Sequence, residues 1–514
     1  MKKELNLLFS CLLLLSSCWT DANKQQDTSL AQDQLSPIEL DIFTHPNSFY
    51  YIDFSNYGGP TSSMPIGVFD SGTGGLTVLD ALVRFDQHVN SNREKKPDGL
   101  PDFKKEEFIY LADQANMPYG NYYAEDKSDL LLEHIIKDAQ FLLGNKYYQH
   151  ALAKDYRTDK KRVKALVIAC NTATAYGQEQ VNDFIKKTGL DIPVIGVINA
   201  GVKGALESLE KEESGAIGVF ATVGTIKSKG YENTLLEMKQ KLGYTGNLQI
   251  YNQGGYGVAE AVDEEPDFIS QSARVPRKDY RGPSLDSGEF KIDKTLMDVY
   301  NFDFDHNKML CDAMDMDDCQ ILQINSTENY VRYHLVSLME KIRSNKRAEP
   351  LKVLILGCTH YPYLIADIKK VIQELYNYKR DDEYRYREFM AEEIAIADPA
   401  EYVAKELYEV LESKQQLNKE GNIEHSEFFI SVPNVDNEAV RVNEERHFTY
   451  EYKYGRNAGE VQEYVKVVPF SKQNISNEVI DRFKSSIPKT YKLIQSFNTN
   501  SDKVANLPVS EKRN

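Results

Sequence analysis

An α/β fold is predicted, of two pseudo-symmetric lobes, each a parallel sheet flanked by helices, with the active site in the cleft between them. Three features of the sequence predict it. From Pro65 onward, short apolar runs alternate with amphipathic stretches, the pattern of strands and covering helices. The runs are rich in Val, Leu and Ile without polar alternation, as in parallel strands buried on both faces. Finally, Ile66-Gly67-Val68-Phe69 returns as Ile217-Gly218-Val219-Phe220, and each copy is followed by an apolar run ending in Cys plus a polar pair, at Cys170 and at Cys358. The same two features in the same order point to duplicated halves, with ligands beyond the C-terminal strand ends.

Taken in order, the chain opens with Met1-Lys2-Lys3, an apolar stretch over 5–15 and Ser16-Ser17-Cys18, a charged, apolar and small-residue succession that resembles a bacterial lipoprotein signal. In that reading residues 1–18 are the signal, Cys18 is lipidated, and the protein is exported and lipid-anchored to the cell envelope, facing the periplasm or the surface. An ordinary cleaved signal is the alternative. Residues 19–64 are a tether and lead-in. The first lobe is expected over 65–192, completed by about 370–413, with strands at 66–69, 108–111 and 163–169 and helices over 76–85, 130–143 and 174–187. The second lobe is expected over 193–369, with strands at 193–198, 217–220 and 351–357. An Asp-, Ser- and Tyr-rich insertion at about 263–325, punctuated by Pro266, Pro276 and Pro283, interrupts it. Residues 414–514 form a C-terminal extension, in which Tyr450, Tyr452 and Tyr454 alternate as in a half-exposed strand and an amphipathic helix follows near 475–486.

A formal net charge of −17 over 514 residues argues against a phosphate-tracking groove, so nucleic acid is set aside as a partner. Asp303-Phe304-Asp305 begins like a calcium loop, but Lys308 stands where its sharp turn needs Gly, and a solvated acidic loop is expected instead of a metal site. The Gly72-x-Gly74-Gly75 turn lacks the third spaced glycine of a dinucleotide loop. Of six cysteines, Cys11 and Cys18 lie in the signal, and Cys311 and Cys319 are close enough in sequence for a local disulfide suited to an oxidising compartment.

Cys170 and Cys358 each stand where a buried strand meets a polar helix start, a position whose unpaired N–H groups favour thiolate. Three readings are open: two small buried residues, a disulfide, or two opposed acid/base thiols. Inverting the α-carbon of an amino acid needs a base on each face, and two cysteines do this without a cofactor when one thiolate abstracts as the opposing thiol donates. Ser71 and the backbone at Gly72, Gly74 and Gly75 are placed to receive a small anion.

Five motifs in order, Asp70-Ser71-Gly72-Thr73-Gly74-Gly75, Pro118-Tyr119-Gly120, Cys170-Asn171-Thr172, Val223-Gly224-Thr225 and Gly357-Cys358-Thr359-His360, resemble the series of the glutamate racemases, in the cofactor-independent aspartate/glutamate racemase superfamily. The resemblance implies Cys170 and Cys358 as the two acid/base residues, with Asp70 and His360 assisting them. It implies Ser71, Tyr119, Gly120, Asn171, Thr172 and Thr359 as substrate-holding residues, and Glu260 as a further acidic helper, with Glu264 and Glu265 competing for that role. No cofactor and no metal is implied, the substrate is a small acidic amino acid, and a homodimer is left open. His360 beside Cys358 favours glutamate over aspartate. A non-catalytic lipoprotein that binds an amino acid or a wall fragment in the same cleft, and a racemase for another amino acid, are the competing readings.

Overall fold

The computed structural model describes residues 35–286, 288–313, 318–505, 507 and 512; the signal reading, with Cys11 and Cys18, lies outside them. Ten strands build two sheets. They are β1 (Ile66–Asp70), β2 (Phe108–Ala112), β3 (Ala165–Ile168), β4 (Val194–Gly196), β5 (Gly215–Ala221), β6 (Leu248–Gly254), β7 (Leu351–Gly357), β8 (Met390–Ala397), β9 (Glu427–Pro433) and β10 (Val465–Pro469). The first sheet runs β10-β9-β2-β1-β3-β4 and the second β8-β7-β5-β6. Every neighbouring pair is parallel except β9 with β10. Every residue of β1, β2, β3 and β5 is buried, which is why these strands read as unbroken apolar runs.

The repeat seen in the sequence is realised in the pairing. In the first sheet β1, with its Ile-Gly-Val-Phe, lies beside β3, which feeds Cys170; in the second, β5 with the same four residues lies beside β7, which feeds Cys358. The helices that matter for the site are α1 (Leu76–Arg84), α2 (Ser128–Leu143), α3 (Asn171–Thr188), α4 (Val197–Glu207), α5 (Val258–Val262), α6 (Thr327–Ser344), α7 (Ile365–Asn377), α8 (Pro399–Ser413), α9 (Tyr450–Gly455), α10 (Asn477–Ser486) and α11 (Pro488–Asn500). Among the described residues, no helix is long and apolar enough to cross a membrane.

Three expectations are corrected. The lobe boundary at 193 falls too early: β4 pairs with β3 and closes the first sheet. The segment 370–413 does not simply complete the first lobe, because β8 pairs with β7 of the second; only α8 returns, packing Pro399 and Tyr402 against Gly201 and Gly204 of α4. The extension is no appendage, since β9 joins β2 in parallel and β10 flanks it, widening the first sheet. Periodicity marks a strand but carries no information on which sheet receives it.

The Tyr450, Tyr452 and Tyr454 alternation is helical. Thr449 caps α9 by accepting from the N–H of Tyr452, and the i, i+4 pair Tyr450 and Tyr454 stack edge to face with centroids 4.7 Å apart, while Tyr452 packs on Phe448. Cys311 and Cys319 are joined in a disulfide, with Cα atoms 5.7 Å apart, at the hairpin of Met309–Cys311 with Leu322–Ile324 inside the insertion. Asp303 pairs with Lys308 and accepts from the N–H of Asp305.

Candidate active site

The C-terminal ends of the central strands of both sheets meet. The turn after β1 presses on the turn after β7 so closely that a Cβ on Gly74 would stand 2.5 Å from His360 Cε1 and 2.8 Å from Thr359 Oγ1, so only glycine fits there. Thr77 Oγ1 of α1 donates to the Thr359 carbonyl at 3.0 Å. On the other side, Thr172 Oγ1 lies 3.2 Å from Thr222 Oγ1 and 3.1 Å from Thr225 Oγ1, and Tyr231 Oη donates to Asn171 Oδ1 at 2.5 Å. The Gly120 carbonyl lies against Gly224. The five sequence motifs therefore converge on one locus.

Both thiols border it, and both are free and buried, which removes the disulfide reading. Cys170 stands at the N-cap of α3, accepting from the Ala173 N–H at 3.4 Å, with its Sγ 3.7 Å from Ser71 Oγ. Burial pushes its thiol well above the ordinary range and the charge of Asp70 adds to this, outweighing the donors at Ala173 and Ser71. The expectation that the helix start makes a thiolate here is corrected: a few N–H dipoles do not offset loss of water around a charge.

Cys358 has different company. Its strand runs into a turn and a 3-10 segment, Tyr361–Leu364, before α7, so no α-helix N-terminus faces the sulfur directly. Instead His360 Nδ1 lies 3.6 Å from Cys358 Sγ, and His360 Nε2 lies 2.9 Å from Asp263 Oδ2. Burial works against the imidazolium, but the charge and hydrogen bond of Asp263 overcome it and hold His360 well above its ordinary value. Burial likewise opposes the Asp263 carboxylate, and His360, then Arg482, bring it down to about 2. Arg482 Nη2 donates to Asp263 Oδ1 at 2.8 Å.

Asp70 serves the turn. Its Oδ2 accepts from the N–H groups of Gly72 and Gly75 at 3.2 and 2.9 Å, while its Oδ1 is buried without a hydrogen-bond partner. Burial raises its carboxyl, against the nearby His360 charge and the two N–H donors. The N–H groups of Gly72 and Gly75, expected to cradle an outside anion, are thus already occupied by a carboxylate of the chain itself. Tyr119 is also redirected: its hydroxyl is buried between Asp113 and Asp138, 2.6 and 2.8 Å from their carboxyl oxygens, so that its ring is a wall post and not a free donor. Glu260, on α5, is buried, and burial raises it to about 7, but the carboxylate on His360 is Asp263, one residue past the end of α5. Two polar side chains of this site, Asp263 and Arg482, were not found from sequence. Asp263 sits three residues beyond Glu260 and beside two more acids, with nothing in the pattern to single it out; Arg482 lies 219 residues farther along.

Opposed strand ends, two buried free thiols and an Asp–His pair on one of them describe a site for acid/base chemistry on a small molecule, and the relatives of the chain give its class. It is 36% identical over 312 residues to the glutamate racemase of Aquifex pyrophilus, covering 61% of this chain and 77% of that protein. It is 28% identical over 364 residues to that of Oceanobacillus iheyensis, covering 71% and 85%. A solved glutamate racemase isoform of Bacillus anthracis aligns with 72% of this chain and 89% of its own at 24% identity and a TM-score of 0.42. No family model matches the chain. The protein is of the amino-acid racemase class, an isomerase. The chain belongs to the glutamate racemase family.

Proposed function

We propose that the protein racemises glutamate without a cofactor, by a two-base exchange between Cys170 and Cys358. The observation that carries this is the placement of two free, buried thiols at equivalent strand ends of the two sheets, bordering the same glycine turn. Their surroundings differ in the way the chemistry needs. Cys170 is held as a thiol, ready to donate, while the His360 imidazolium points its Nδ1 proton toward Cys358 Sγ. In one direction Cys358 takes the α-proton as Cys170 delivers its own to the opposite face; the reverse direction exchanges the roles and restores both sulfurs. Glutamate is preferred as substrate because the relatives of the chain bear that name.

In deuterated water under reducing conditions, the purified protein is expected to place deuterium at the α-position of glutamate and to drive either enantiomer to an equal mixture, read by chiral chromatography and mass spectrometry. Calorimetric binding of glutamate with no α-exchange would select the binding-lipoprotein reading, and turnover confined to another amino acid would move the substrate.

The envelope lipoprotein reading is part of the same proposal, and the Cys311–Cys319 disulfide supports folding in an oxidising compartment. Cells expressing the full chain are expected to incorporate labelled palmitate into it and to lose both the label and membrane association in Cys18→Ser; label retained in that variant removes the anchor.

A further inference from the structure

The C-terminal extension reaches into the site through one side chain. Arg482 projects from α10, whose Ile480 and Phe483 are buried in the first-lobe core. The helix leads into α11, which is fastened to α1 by the hydrogen bond of Thr490 Oγ1 to Asp80 Oδ1 at 2.8 Å. Since α1 begins directly after the glycine turn, the extension is braced on the helix that follows the turn after Asp70 and Ser71. From this base the guanidinium makes three contacts toward the site. Nη2 holds Asp263 Oδ1 at 2.8 Å, Nη1 donates to the Val262 carbonyl, and Cζ lies 5.3 Å from the centre of the Tyr363 ring. Tyr363 belongs to the turn after His360 and donates its N–H to the His360 carbonyl at 3.3 Å.

We propose that Arg482 is a positioning residue for the acid/base chemistry at Cys358, fixing Asp263 and the His360 turn relative to each other. The proposal rests on the racemase reading above. The geometry requires a fork. One carboxylate oxygen of Asp263 is engaged by His360 Nε2 and the other by Arg482, so the plane of the carboxylate, and with it the direction in which Nδ1 of the imidazole faces Cys358, is set from both ends. The Val262 carbonyl sits at the open C-terminal end of α5, and the second guanidinium nitrogen satisfies it. Without the fork, the Asp263 carboxylate, one residue past the end of a five-residue helix, is held from one side only, and the imidazole loses the angle that aims it at the sulfur. Lysine supplies the charge but a single point of attachment, so it does not replace the guanidinium.

The test compares wild type with Arg482→Lys, Arg482→Ala and Asp481→Asn, the last an exposed neighbour on the same helix. Racemisation of glutamate is followed in both directions, with thermal unfolding of each variant. Asp481→Asn is expected to match wild type. Arg482→Lys, folded, is expected to lose about tenfold in kcat with little change in KM, and Arg482→Ala about a hundredfold, in line with the cost of a small misplacement of reacting groups. Added guanidinium ion at low millimolar concentration is expected to restore part of the alanine variant's kcat, which a purely structural role does not permit. Arg482→Lys that unfolds normally and turns over like wild type overturns the proposal, as does an alanine variant that stays folded and gains nothing from guanidinium. If wild type and Asp481→Asn fail to racemise glutamate, it is the racemase reading that falls, and this proposal with it.

Discussion

Cys170→Ser and Cys358→Ser are each expected to lower glutamate racemisation by about 10³-fold, roughly 4 kcal/mol of transition-state stabilisation, while each retains α-proton exchange on one enantiomer only. The two enantiomers have equal free energy in water, so the equilibrium constant is unity and kcat/KM for the two directions falls together in every variant. A defect on one face therefore never shows as a difference between directions of racemisation. It shows in isotope exchange. With Cys170 replaced, Cys358 still removes the proton from the enantiomer that presents it to that face and returns a deuteron to the same face, so this enantiomer is labelled without inversion. With Cys358 replaced, the opposite enantiomer is labelled. The double variant labels neither. Two variants that label the same enantiomer, or that racemise at the wild-type rate, would remove the two-base reading.

The two single variants are not expected to be equivalent. Burial resists ionisation of Cys170, with Asp70 adding a like charge beside it, and serine there leaves the capping contact with Ala173 available in kind, since a hydroxyl accepts the same N–H. Serine at 358 instead sets a much weaker acid against an imidazolium held in place by Asp263. Neither substitution opens a large void in the core, so unfolding temperatures are expected to stay within a few degrees of wild type, and loss of activity reports chemistry.

Much of this was legible in the sequence because the signal was local. A buried parallel strand is a contiguous apolar run, and the residue two or fewer positions past it is at the strand end whatever the rest of the chain does. That logic placed Cys170 and Cys358, and the matched Ile-Gly-Val-Phe runs placed their neighbours. What escaped was long-range or degenerate. Glu260, Asp263, Glu264 and Glu265 are all acids within six residues, and only the three-dimensional course of α5 and the chain after it decides that Asp263 meets His360. Arg482 carries no pattern of its own; its importance comes from the fold bringing α10 to α5. The tyrosine alternation in the extension misled because spacings of two and four residues overlap: i and i+4 satisfy both a strand face and a helix face, and the Thr449 cap decided it. The protonation of Cys170 was misjudged because a sequence shows the helix start but not the depth of burial.

Asp263→Asn is expected to cut turnover by about 10²-fold and to move the high-pH limb of the rate profile toward acid by about 1–3 units. In the wild type the charge and hydrogen bond of Asp263 overcome burial and hold His360 well above its ordinary value. An amide in its place keeps the shape and one hydrogen bond but removes the charge, so burial is opposed chiefly by the contact with Cys358 and the imidazole moves down from its wild-type value. The imidazolium that faces Cys358 is then lost at a lower pH, and activity that depends on it falls earlier as pH rises. Stability follows the same signs. The raised His360 contributes fully below about pH 6.5 and its contribution is withdrawn as pH climbs through the folded value, whereas the lowered Asp263 contributes above about pH 4 and is withdrawn as pH falls toward about 2. The variant's deficit in unfolding temperature is therefore expected to be greatest between about pH 4 and 6.5, and to shrink on either side. Glu260, raised by burial to about 7, titrates close by, so the corresponding Glu260→Gln variant is the control that assigns the limb. If Asp263→Asn keeps the wild-type profile and Glu260→Gln shifts it, Glu260 is the acidic helper and the Asp263 contact is structural.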